Sequence, residues 1–405
     1  MKRQESLTGT KVAWLIPSMA RNYFHWLPLI EEFSIIFPDT TVFTGLCPEN
    51  ISSENVSFNL KIVGKTRFIK LGMKESRYEK VIIIPPLDIP FHLLKFLPQV
   101  ILTYGFSIWT VIVLLLKPFT GWRVIVVYEG STPTVDDRES KLRTFGRKLM
   151  TRRSDAFLTN THSGKSYLVQ FLKANKELVF VRPYLLPDIK YLTQKKVNVK
   201  NLLMDATRPI FLYVGLIIQR KGLKFLIEAF AALKNKGYDD YTLLIVGDGP
   251  QRGELENIVK EQEIEKQVRW MGWFDYTSLG YFYDSSDIFV FPTYEDTWGL
   301  VVLEAMAFAK PVLCSKLAGT HEMIQEGENG YTFNPDCDTP DTLAAIIKRF
   351  IDNPDIIGPM GEKSKILVSS HTPRAIADYL KCIIEFVLGL RNRSSIKFAE
   401  YPQKQ

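Results

Sequence analysis

Short β-branched apolar runs alternate along this chain with longer segments whose apolar residues recur at helical spacing. The runs at 11–17, 40–44, 81–85, 100–104 and 123–128 read as buried strands, and 24–36 and 106–116 as helices among them. Two further short runs, 156–159 and 178–181, follow. Strands that alternate with helices predict a mainly parallel sheet covered on both faces. The pattern breaks over 184–208, where prolines and a Lys-rich patch carry little periodicity. It then restarts, with strands at 210–214, 241–246, 268–270, 288–291 and 311–314 and helices beginning near Leu223, Gln251, Tyr276, Leu300 and Thr320. Asn329 and Gly330 read as a tight turn, and 373–390 as a last amphipathic helix.

The expectation is an α/β chain of two doubly wound domains, 1–185 and 208–372, joined by a linker at 186–207. Helix 373–390 is expected to return to the first domain, and 391–405 to form a frayed basic tail. At 405 residues there is room for two cores, and 46% hydrophobic with 23% charged residues excludes a disordered chain. The four cysteines, Cys47, Cys314, Cys337 and Cys382, have neither metal-ligand nor disulfide-framework spacing, which reads as reduced cytoplasmic thiols.

The net charge of +7 is unevenly spread: residues 1–200 hold 29 Lys and Arg against 16 Asp and Glu. A basic first half suits approach to anionic lipid or phosphate-bearing acceptors, or is simply a solvated surface. Over 141–153, Leu142, Phe145 and Leu149 recur at helical spacing among six Lys and Arg and no acid. Such a helix either packs its apolar stripe on the core or lies on an anionic membrane surface. The apolar run 106–116 is too short to span a bilayer, which takes about 20 residues, and the start shows no signal-peptide core. A cytoplasmic protein, peripheral on the inner face of a membrane, is the expected location.

The chemistry concentrates at 294–309. Between Gly299 and Lys310 the only ionisable residue is Glu304, and a carboxylate in an apolar run needs a partner. Gly299 stands where the backbone enters a helix, so the amides of Trp298, Gly299 and Leu300 and the positive dipole end suit an anion. Asp296 lies on the loop, eight positions before Glu304. The plainer reading has Asp296 or Thr297 capping the helix and Glu304 pairing with a neighbouring Lys or Arg.

Earlier, Gly215 to Gly222 follows a strand and precedes a helix, and its Arg220 and Lys221 suit a diphosphate. Gly247 to Gly253 also follows a strand, but Arg252 breaks the dinucleotide fingerprint, and Gly247, Gly249 and Pro250 also fit a plain helix-starting turn. A nicotinamide-type oxidoreductase therefore lacks its signature. The five histidines have no metal-ligand spacing, and there is neither a nucleophile elbow nor a P-loop. Nothing in the motifs points to nucleic acid.

Taken together, Gly215 to Gly222, Gly247 to Pro250, the 285–292 strand, Asp296 to Glu304 and Gly327 to Gly330 resemble the retaining glycosyltransferases of family GT4. The likeness is dense over 208–350. It implies the GT-B fold, two Rossmann-like domains facing each other across a cleft, with a nucleotide diphosphate sugar bound mostly by the second. It further implies sugar transfer to a glycan or lipid-linked acceptor with retained configuration and without a required metal or other cofactor. By position, Lys221 and Arg220 would hold the diphosphate, together with the amides of Trp298, Gly299 and Leu300 and the turns at Gly215, Gly247 and Gly249. Asp296 would reach the donor sugar and Glu304 the ribose. In the first domain, Glu129 stands where many members of that family have His, His25 reads as a packed histidine on an apolar helix, and no role is assigned to either. The alternative is a non-catalytic relative that keeps the fold as a scaffold or partner subunit.

Overall fold

The computed structural model describes residues 9–19, 26–48, 56–70, 81–184, 186–197 and 203–396. The chain divides into two compact units, one of 1–185 with 371–405 and one of 186–370. His25 and most of the loop before it lie outside the described residues.

In the first unit, β1 (Val12–Leu15), β2 (Thr40–Thr44), β3 (Asn59–Ile62), β6 (Val100–Tyr104), β7 (Arg123–Tyr128), β8 (Ala156–Thr159) and β9 (Val179–Val181) form a seven-stranded sheet. Its order is β3-β2-β1-β6-β7-β8-β9 and every pairing is parallel. Strands buried on both faces have no polar side to show, which is why β1 reads Val-Ala-Trp-Leu without alternation. Ala13 and Leu15 face a cluster with Leu93, Trp109 and Val113 from helices Ile89–Phe96 and Ile108–Thr120. Trp14 faces the other way and meets Phe33 edge-on at 5.1 Å. Helix Pro373–Val387 packs on that side, against Leu27–Ile36.

The second unit repeats the plan. β10 (Ile210–Val214), β11 (Thr242–Val246), β12 (Val268–Gly272), β13 (Ile288–Phe291), β14 (Val312–Ser315) and β15 (Gly330–Phe333) pair in parallel in the order β12-β11-β10-β13-β14-β15. Phe211, Tyr213, Leu243 and Ile245 pack with Leu226, Phe230 and Ile347 in its core. Connections leave the central pair β10 and β13 in opposite directions, so the carboxyl ends of these two strands are the switch point of the sheet, the usual place for a ligand in such a fold. Each unit is thus a doubly wound Rossmann-like domain.

Several expectations are corrected. The run at 81–84 is a strand, β5 (Val81–Ile84), but it pairs antiparallel with β4 (Arg67–Lys70) outside the main sheet. Ile82 and Ile83 are accordingly exposed. The turn read at Asn329-Gly330 lies at 327–329, closed by the Gly327 amide donating to the Gly330 carbonyl at 2.9 Å, and Gly330 itself already opens β15 beside β14. Much of 186–207 is anchored to the second unit, with the Lys195 amide donating to the Thr277 carbonyl at 2.9 Å and the Tyr281 hydroxyl to that of Thr193 at 3.2 Å. The start of the tail is held too, since Arg393 lies 4.1 Å over the Phe180 ring and donates to the Glu177 carbonyl at 3.0 Å.

Helix Lys141–Arg153 is turned the opposite way from the core-packing expectation. It buries Arg147 and Thr151 and leaves Leu142, Phe145 and Leu149 exposed. The reason is polar: Arg147 donates to the Tyr167 hydroxyl at 2.6 Å and to the Asp136 carbonyl at 3.0 Å. Among the described residues, no helix is long and apolar enough to cross a membrane.

Candidate active site

Three loops of the second domain converge at the carboxyl ends of β10, β13 and β14. The Tyr294 amide donates to the Arg220 carbonyl at 2.8 Å and the Thr293 hydroxyl to the same oxygen at 3.0 Å, joining the loops after β13 and β10. On the other side, the Asp296 amide donates to Leu317 at 3.1 Å and the Thr320 amide to Trp298 at 2.9 Å. The loop from Tyr294 to Gly299 is therefore laced on both flanks, and its side chains are held in place before any ligand arrives.

That lacing brings Arg220, Lys221 and Asp296 together although 75 positions separate Lys221 from Asp296. The Lys221 ammonium donates to Asp296 Oδ2 at 2.6 Å, and the Arg220 guanidinium stands 3.6 Å from the same oxygen. Arg220 also donates to the Glu295 carbonyl at 2.6 Å. Burial pushes the Asp296 carboxyl up, but Lys221, Arg220 and the Trp298 amide outweigh it and leave it below its usual range. Asp296 Oδ1 accepts that amide at 3.2 Å, a bond within the loop; the helix receives no side-chain cap, so the capping role foreseen for Asp296 or Thr297 is not found. Lys221 further lies 5.0 Å over the Phe291 ring, which screens one side of its charge from water.

Helix Leu300–Ala307 begins here. Its N-cap is Gly299, which supplies no capping side chain; the Val302 amide donates to the Gly299 carbonyl at 3.0 Å, and no side chain caps the helix start. Gly299 has φ +93°, and a Cβ there would stand 2.6 Å from the Phe291 ring. Glycine is thus required by both backbone and space. The turns at Gly215 and Gly247 serve a different purpose: their amides donate to Val246 and Gly272 at 3.0 and 2.8 Å, extending the sheet. A Cβ on Gly247 would lie 1.8 Å from the Gly215 carbonyl oxygen, so the two turns touch backbone to backbone. The Gly249 amide donates to the Asp248 carboxylate at 2.7 Å.

Glu304 is 1% exposed and its partner is no Lys or Arg. The Tyr283 hydroxyl donates to Glu304 Oε2 at 2.7 Å. Burial raises the carboxyl to about 7, against the opposing pull of the Tyr283 and Tyr276 hydroxyls. Neither tyrosine was singled out from sequence: both sit in an aromatic-rich stretch, Tyr276 to Tyr283, where a core role looks the same as a polar one. Thr293 and Thr320, which fasten the loops, were equally invisible. Among the described residues, no group of three His, Cys, Asp or Glu is placed to hold a metal ion.

Residues 194–381 match the family described as glycosyl transferases group 1. An uncharacterized glycosyltransferase of Haemophilus influenzae is 27% identical over 245 residues, which are 60% of this chain and 65% of that protein. The alpha-D-kanosaminyltransferase of Streptomyces kanamyceticus is 31% identical over 157 residues, 39% of this chain and 40% of its own. The chain thus spans less than two thirds of either relative. Among solved structures, Anabaena Alr3699/HepE in complex with UDP superposes with a TM-score of 0.73 at 15% identity, covering 93% of this chain and 100% of that one. The same protein with UDP-glucose gives 0.68 at 16%, covering 94% and 100%. These likenesses give the fold as GT-B, and it is over residues 194–381 that the chain matches the glycosyl transferases group 1 family.

Proposed function

We propose that this protein is a retaining glycosyltransferase that moves a sugar from a nucleotide diphosphate sugar to a glycan or lipid-linked acceptor in polysaccharide or lipopolysaccharide-type synthesis. The observation that carries the reading is the convergence of Lys221, Arg220 and Asp296 beside the uncapped start of helix Leu300–Ala307. Breaking the bond between the anomeric carbon and the diphosphate leaves charge on the departing oxygens. Two fixed cations and aligned amides would stabilise that charge without reorganising, which is the main catalytic term for such a step. They also supply the positive charge that a metal provides elsewhere, so the reaction needs none.

Asp296 would take hydroxyls of the donor sugar and so orient the anomeric carbon. Its acceptor character is secured because the surrounding cations keep it ionised. Glu304, steadied by Tyr283, would take the ribose hydroxyls. The uridine nucleotides bound by Anabaena Alr3699/HepE make UDP-sugars the first donors to try.

Thermal unfolding with UDP, GDP or ADP and their sugar conjugates tests the donor site. A ligand at roughly a hundred times its dissociation constant stabilises by about 2.7 kcal/mol. A shift confined to one base names the donor nucleotide; no shift with any of them, in folded protein, leaves the non-catalytic scaffold as the reading. Turnover of Lys221→Ala is expected to drop by at least about a hundredfold, in line with the loss of a charge-stabilising donor. Near-normal turnover removes Lys221 from the diphosphate site.

A further inference from the structure

In the first domain, the helices that cover one face of the sheet turn large apolar side chains outward. Ile89–Phe96, Ile108–Thr120 and Lys141–Arg153 lie side by side, the middle one touching both others. Inward, Ile89, Leu93, Trp109 and Val113 are fully buried, and Met150 packs against the same cluster. Outward, Phe91 is 76%, Phe119 87%, Leu142 83% and Phe145 68% exposed, with Leu94 and Leu115 about half exposed beside them. On each helix these residues follow helical spacing, so they form stripes and not scattered points.

The third helix cannot roll to hide its stripe. Arg147 occupies the inner face, bonded to Tyr167 and the Asp136 carbonyl and lying 5.3 Å over the Phe106 ring. Rolling the helix would strip a buried guanidinium of these partners, which is costly. The apolar stripe is held outward by the same contacts that bury the arginine. Around it, Lys141, Arg143, Arg152 and Arg153 are exposed, and the helix has no acid.

We propose that this face docks the protein on an anionic lipid bilayer. A second copy of the chain fits poorly, because a two-fold contact sets each patch against itself and would press bases on bases. A bilayer meets both features at once: aromatic and leucine side chains enter the boundary between headgroups and acyl chains while the bases stay at the anionic headgroups. The reading stands apart from the donor chemistry, since every residue invoked lies in the first domain.

Sedimentation of the full chain with vesicles tests it. Binding is expected to vesicles of phosphatidylcholine with phosphatidylglycerol, to weaken on going from low to high salt, and to be much weaker with phosphatidylcholine alone. The double variant Phe119→Asp/Phe145→Asp, and separately Lys141→Glu/Arg152→Glu/Arg153→Glu, should each lower partitioning by about tenfold or more. Circular dichroism and the unfolding midpoint establish that both variants are folded. The proposal is overturned if the wild type ignores anionic vesicles at low salt, or if both folded variants bind as the wild type does. It is also overturned if the protein forms a dimer that Phe119→Asp/Phe145→Asp abolishes while vesicles go unbound.

Discussion

Glu304 makes stability fall as pH rises through neutrality. Its carboxyl titrates at about 7 in the folded chain against a usual value of 4.5, because burial disfavours the ionised form more than the tyrosines favour it. The folded state therefore holds the proton more tightly than the unfolded state. Stability from this group is full below the unfolded value and is lost as pH rises toward the folded one. One unit corresponds to about 1.4 kcal/mol, so the whole effect is roughly 3 kcal/mol. Between pH 5 and pH 8 the loss is about 2 to 3 kcal/mol. Other groups titrate in the same window, so the useful quantity is the difference between wild type and Glu304→Gln, which has no proton to lose. Urea unfolding of both proteins from pH 5 to pH 8 gives it. The wild type should lose about 2 kcal/mol more than Glu304→Gln over that range. Parallel losses would mean that Glu304 is ionised throughout, and the account of its burial would be wrong.

The same proton should tune the ligand. Ribose hydroxyls donate best to an ionised carboxylate, so UDP affinity measured by calorimetry is expected to rise from pH 6 to pH 8 in the wild type and to stay flat in Glu304→Gln. Tyr283→Phe removes a hydroxyl that holds the carboxyl down, so the rise should move to higher pH; an unmoved profile would exclude Tyr283 from the site. Gly247→Ala would place a methyl 1.8 Å from the Gly215 oxygen, and about 3 kcal/mol of lost stability in urea unfolding is expected. Arg147→Ala should cost about 3 kcal/mol by leaving Tyr167 and the Asp136 carbonyl without their donor; a loss within 0.5 kcal/mol, the usual range for a surface site, would show that helix Lys141–Arg153 is not locked by it.

The fold was legible wherever strands are buried on both faces. β10 and β13 have no choice but continuous apolar residues, and they begin and end where the pattern does. β3, Asn59–Ile62, escaped notice because it is a short edge strand with no buried residue, Asn59 and Ile62 both being exposed. β15 was hidden by Asn329-Gly330, a pair that normally turns a hairpin; here Asn329 is fully buried, its side chain bonded to the Gln325 amide and the Met323 carbonyl. The chain does turn at 327–329, but the turn leads straight into the strand at Gly330. Helix Lys141–Arg153 shows the same limit from another side. Periodicity finds a stripe, but a buried arginine network decides which way the stripe faces.

In the site, sequence separated what folding joins. Spacing along the chain singled out Asp296 and Glu304 as a pair, eight positions apart on one loop and helix. The structure gives them opposite surroundings. Asp296 sits between two cations and stays ionised; Glu304 sits beneath, among tyrosines, and titrates near neutrality. The difference follows from depth. Asp296 is still on the loop, where the chain after β10 can reach it with Arg220 and Lys221, whereas Glu304 is a full turn into an apolar helix that only its own side of the core can reach. One carboxyl is therefore suited to a constant acceptor role at the proposed donor site, and the other to a contact whose strength changes with pH. A double variant, Asp296→Asn with Glu304→Gln, should lose the pH dependence of nucleotide binding that Asp296→Asn alone retains, which separates the two roles in one titration.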